Sequence, residues 1–149
     1  MSLLLPHLRQ LFRHAHWADA VVWRAALATP ALEEDERART LLFHIHQVQH
    51  AFLSVWRGEE VEWKELTDFP DMAALARWGR DYHERMPEYL ATVREEQLDD
   101  VKEVAWKRWV EKAIGRPPGP TTLGEMMTQV SQHSTYHRGQ VNARLRDSG

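Results

Sequence analysis

At 149 residues, 43% hydrophobic and 28% charged, the chain has the size and composition of one soluble folded domain with its own core. The formal net charge is -3, from 19 basic and 22 acidic side chains, so nothing favours the phosphate backbone of a nucleic acid. With no cysteine, the protein cannot form disulfides, thiolate zinc sites, iron–sulfur clusters or a cysteine nucleophile; imidazole and carboxylate must hold any transition metal.

No apolar run approaches the roughly 20 residues that span a bilayer. The opening MSLLLPHLRQ lacks a basic n-region and a small-residue cleavage site, so no membrane partner and a cytoplasmic location are expected. A first helix is predicted from about Leu3 to Leu27, with Leu8, Phe12, Ala15, Trp17, Val22, Trp23 and Leu27 at helical spacing and Pro30 ending it. The second runs from about Glu33 to Arg57 on a stripe of Leu41, Ile45, Val48, Phe52 and Val55, with Gly58 placed to terminate it. After a loop over Glu59 to Asp68, a third helix spans about Asp71 to Leu98. It carries Leu75, Tyr82, Met86, Leu90 and Val93 on one side, and Pro87 is expected to kink it. Asp99 to Pro120 reads as irregular, with short strands at Val104, Trp106, Trp109 and Val110. The last helix starts at Thr121 or Thr122, where Glu125 completes a capping-box spacing, and runs to about Arg146. The pattern predicts an all-α four-helix bundle, one domain over 1–149, with an irregular insertion before the last helix.

Nine histidines are present, unevenly placed. His133 and His137 stand four apart on the last helix, on one face, with Cβ atoms about 5–6 Å apart, a spacing that lets two imidazoles reach one ion. His137 aligns with Leu123, Val130, Val141 and Leu145, and imidazoles aimed into a bundle need a hydrogen bond or a metal. On spacing alone, a pair of satisfied structural histidines competes evenly with the metal reading. The second helix supplies a third ligand: His44, which shares a face with Leu41, Val48, Phe52 and Val55, with His46 in reserve. Partial exposure is expected of His46 and His50, and surface placement of His16. There is no HExxH, GxSxG or P-loop motif.

His44, Phe52, Trp56-Arg57-Gly58 and then His133-Ser134-Thr135-Tyr136-His137-Arg138-Gly139-Gln140, closed by Leu145-Arg146, resemble the DinB/YfiT-like superfamily of metal-dependent enzymes. The likeness covers nearly the whole chain, including Trp17, and HxxxHRGQ is its most specific part. It implies an up-down-down-up four-helix bundle, usually dimeric, with His44, His133 and His137 as ligands of zinc, nickel or a similar divalent ion. Relatives often carry asparagine where this chain has Asp19.

Three neutral imidazoles leave an ion open positions, where it lowers the pKa of bound water or of a bound thiol. Thiol-dependent S-transferases occur in the family that the motif resembles. The expectation is therefore a metal-dependent enzyme that activates a low-molecular-weight thiol against an electrophilic small-molecule substrate. A metal-dependent hydrolase is the first alternative, although Glu125, two turns from His133, is no convincing general base. A non-catalytic metal-binding dimer is the second. Arg138 is expected at the surface, or on an anionic thiol; Gln140 beside a ligand or packed; Gly139 where helices approach closely.

Overall fold

The computed structural model describes residues 3–149. Helix α1 spans Leu4–Leu27, α2 Glu36–Arg57, α3 Met72–Thr92, α4 Lys107–Ile114 and α5 Leu123–Asp147, so the fold is all-α, with four long helices. Helices α2, α3 and α5 start at side-chain caps. Asp35 accepts from the Ala38 amide at 3.0 Å and Asp71 from Ala74 at 2.7 Å. Thr122 and Glu125 exchange both bonds of a capping box, at 2.8 and 3.3 Å. Gly58, at φ 70, ends α2 in the left-handed conformation that glycine adopts without a Cβ penalty.

Two expectations are corrected. The third helix stops at Thr92, not Leu98: Val93 is extended, and Arg9 reaches across to donate to the freed carbonyls of Leu90 (3.2 Å) and Val93 (3.3 Å). Pro87 lies inside that helix. The insertion is also less irregular than expected, because Trp109 and Val110 belong to α4, which Gly115 ends at φ 72. Its only strand pairing among the described residues is Val101–Lys102 (β1) against Thr121–Thr122 (β2).

Helices α1 and α2 each pack against both α3 and α5. The apolar core falls into two clusters. One gathers Leu8, Phe12, Phe52, Leu53, Tyr82, Met86, Met127 and Val130; the other gathers Val22, Trp23, Leu42, Ile45, Met72, Leu75 and Val141. The first receives the N-terminal halves of α1 and α5 and the C-terminal halves of α2 and α3; the second receives the opposite halves. Between them lies a layer of buried polar side chains, Asp19, His46, Gln49, His83, Ser134 and Arg138. Trp17 and Leu27, expected in the first helix's stripe, are 62% and 50% exposed instead. No described helix is long and apolar enough to cross a membrane.

Candidate metal centre

The rotation of α5 is set from inside the bundle. Arg138 is buried, and its Nη1 donates to Asp19 Oδ1 at 2.7 Å while Nη2 donates to Thr135 Oγ1 at 3.0 Å. At about 100° per residue, turning Arg138 inward carries His137 about 100° and His133 about 140° round the helix, onto the flank that meets α2. On α2, Gln49 points inward, bonding Asp19 at 2.8 Å and Ser134 at 3.2 Å. His44, five residues earlier, falls on the matching flank of α2.

The two flanks bring three imidazoles together. Their ring centroids are 4.8 Å (His44–His133), 4.7 Å (His44–His137) and 4.4 Å (His133–His137) apart, and one ligand nitrogen from each lies within 4.8 Å of the others. His44 Nε2 and His133 Nε2 are only 2.9 Å apart. His137 Nδ1 donates to Gln140 Oε1 at 2.6 Å, which fixes its tautomer and leaves Nε2 as a lone pair. His133 Nδ1 is buried without a hydrogen-bond partner among the described residues.

The surroundings favour the neutral form of two of the three rings, His133 and His44. Burial and then the neighbouring His137 and His44 lower the His133 pKa to about 4. Burial, then His137 and Arg37, lower His44 from its ordinary value. Imidazoles crowded toward one point suit a cation better than they suit one another, and three nitrogen donors match the requirements of zinc or nickel. The residues therefore fit a divalent metal ion.

His44 reaches this cluster for a different reason from the one expected. It does not face the interior; its residue is exposed, and it approaches from the rim of the α2/α5 groove. The inward histidine is His46, 1% exposed, whose Nε2 accepts from Trp23 Nε1 at 2.7 Å and whose Nδ1 donates to Gln49 at 2.8 Å. Burial lowers its pKa to about 4. His50 is buried too, bonded to the Trp78 carbonyl at 2.9 Å. Neither is partly exposed as expected, since each has a partner that removes the cost of burial.

The sequence reading misplaced two further residues. Arg138 is neither a surface cation nor available to an anionic thiol, because both its Nη groups are engaged inside the bundle. Gly139 does not ease helix approach: a Cβ there would meet nothing within 4 Å. That role belongs to Gly79 on α3, where a Cβ would overlap the His46 imidazole. Nothing in the local sequence links Asp19, His83, Gln49 and Arg138, which the structure joins in one buried network. Gln140, by contrast, does stand beside a ligand.

The family model described as the DinB family matches residues 4–149. The chain belongs to the DinB family. The match spans both imidazole-bearing helices, so the α2 and α5 histidines lie inside the matched region. No curated protein matches it. Membership in the DinB family and a three-histidine group together fit a metal-binding protein of this fold.

Proposed function

We propose that this DinB-family chain holds zinc, nickel or a similar divalent ion on His44, His133 and His137 and activates a low-molecular-weight thiol for S-transfer to an electrophilic small molecule. The observation that carries the reading is the convergence of three imidazoles from two helices at the rim of a groove. When bound, the metal supplies a Lewis acid that lowers the pKa of a thiol or water beside it.

The chain's own residues do the rest. Gln140 orients His137, and Asp19 holds Arg138 so that α5 presents both its histidines to α2. Exposure of His44 leaves the outer side of the cluster open to small molecules. Thr40, one turn before His44, and Arg37, two turns before it, line a surface cleft of about 660 Å³ together with Glu34, Asp35, Glu36 and Arg144. A hydrolase would need a general base, and among the described residues the group contains no carboxylate. The reading includes a homodimer, as the resemblance implies, in the cytoplasm, and light scattering tests the dimer.

The deciding experiment is elemental mass spectrometry on untagged protein purified without chelators, beside the His133→Ala/His137→Ala double variant. It is followed by turnover of a model electrophile with and without added thiol. Near-stoichiometric metal in the wild type alone, with turnover requiring both metal and thiol, supports the transferase. Metal with thiol-independent turnover favours the hydrolase. Metal without turnover favours the non-catalytic role, and no metal after reconstitution overturns the site.

A further inference from the structure

The groove between α1 and α3, across the bundle from the imidazole cluster, holds a second concentration of titratable groups. Two cavities open there, of about 290 and 180 Å³, and His16 and His83 line both. The two rings stack nearly parallel, with centroids 4.9 Å apart, and form the partition between the cavities.

His83 is 5% exposed, and its Nε2 donates to Asp19 Oδ2 at 2.7 Å. Asp19 also accepts from Arg138 and Gln49, so it is a fully engaged carboxylate. Burial pushes its pKa up, but the His83 hydrogen bond and the surrounding positive groups outweigh that and hold it below the usual range. With its Nε2 proton donated to Asp19, the neutral imidazole of His83 carries its lone pair on Nδ1. Among the described residues nothing donates to Nδ1, and it is not one of the buried unpaired atoms, so it keeps access to the cavity that His83 lines. An acid–imidazole pair that orients one ring nitrogen toward a cavity is the arrangement of a hydrogen-bond acceptor poised for a ligand.

The rest of the larger cavity has a one-sided chemistry. Phe12, Met86 and Leu90 make an apolar wall, and Arg13 stands at the exposed edge with no ion-pair partner among the described residues. Asp19, whose charge is already paired with Arg138, is the only acidic residue lining either cavity among the described residues. A concave apolar site with a few convergent polar groups and excess positive charge selects an apolar molecule with an anionic end.

We propose that the α1/α3 groove is a second small-molecule site that takes an amphipathic organic anion. Its apolar body lies on Phe12, Met86 and Leu90, its anionic group on Arg13, and a donor group on His83 Nδ1. This site is independent of the metal reading and stands whether or not the imidazole cluster binds an ion.

The probe is 8-anilinonaphthalene-1-sulfonate, which carries an aromatic body, a sulfonate and an N–H donor. Wild-type protein should give a saturable 1:1 fluorescence rise. Arg13→Glu should weaken it by about tenfold or more, because an attraction becomes a repulsion at a partly desolvated edge. Arg108→Glu, on α4, should leave it unchanged. Both positions are exposed, so neither change threatens the fold. In two-bond ¹H–¹⁵N spectra the dye should shift His83 Nδ1 and leave His44, His133 and His137 in place. Absence of saturable binding, indifference to Arg13→Glu, or shifts confined to other histidines overturns the proposal.

Discussion

Arg138 Nη1 and Asp19 Oδ1 meet at 2.7 Å in the centre of the bundle, and this buried pair decides which way α5 turns its histidines. Asp19 is also the acceptor for His83 and Gln49, so one carboxylate collects donors from three other helices. Removing one member leaves the others charged or unpaired in a dry interior, which costs more than the intact network gains.

Asp19→Ala should therefore destabilise the fold by about 3–5 kcal/mol, the range for breaking one side of a buried ion pair. Urea unfolding measures it. Asp19→Asn, which keeps an acceptor oxygen but not the charge, should cost less. Equal losses for the two variants would show that the charge is irrelevant and only the packing counts.

Gly79 has no room for a methyl group, because the His46 ring occupies the space a Cβ would take. Gly79→Ala should cost about 1–3 kcal/mol through overpacking, despite alanine's better helix propensity. In a Gly79→Ala/His46→Ala double variant the losses should be less than additive, since the second change opens the space that the first one needs. Strict additivity would mean that the two residues do not touch.

The imidazoles should separate by function. His44→Ala, His133→Ala or His137→Ala should abolish tight metal binding and leave helix content intact, whereas His46→Ala should chiefly lower stability by orphaning Trp23 Nε1 and Gln49. Gln140→Leu should weaken metal affinity about 10–100-fold, the usual effect of losing the partner that orients a ligand histidine. Isothermal titration with the metal distinguishes these outcomes, and a His46→Ala variant that loses metal while keeping its stability would reverse the assignment.

Acid should destabilise the protein well before its carboxylates titrate. Burial lowers His46 from 6.5 to about 4, so between those values the unfolded chain binds a proton that the folded chain refuses. The contribution is fully present above pH 6.5 and is lost as pH falls toward 4; His44, His50 and His133 are lowered in the same direction. The depressed Asp19 adds a further loss below the ordinary carboxyl range. Urea midpoints should fall steadily from pH 7 to pH 4.5, and a maximum near pH 5 would contradict the burial of neutral histidines.

The local rules in the sequence carried the helices and the ligand pair. Asp71, Thr122 with Glu125, and Gly58 mark helix ends because a cap is satisfied by residues within four positions. His133 and His137 share a flank because helical spacing alone puts them there. What periodicity misjudged was the inward face of α2. Of its apolar stripe, Leu41, Ile45 and Phe52 are buried but Val48 and Val55 are only partly so, and the buried face extends to Leu42, His46, Gln49 and Leu53, away from His44. Polar side chains on the true inward face dilute its hydrophobic signal, and they are tolerated there only because Trp23, Asp19 and Ser134 arrive from other helices to bond them. His44 consequently meets His133 at the rim of the groove, not in the core. The sequence alone determined the helices and the pairing of two histidines. Packing decided which histidine joins them, because His46 is buried by bonds to Trp23 and to Gln49, and Gln49 is itself held by Ser134, 85 residues further along the chain.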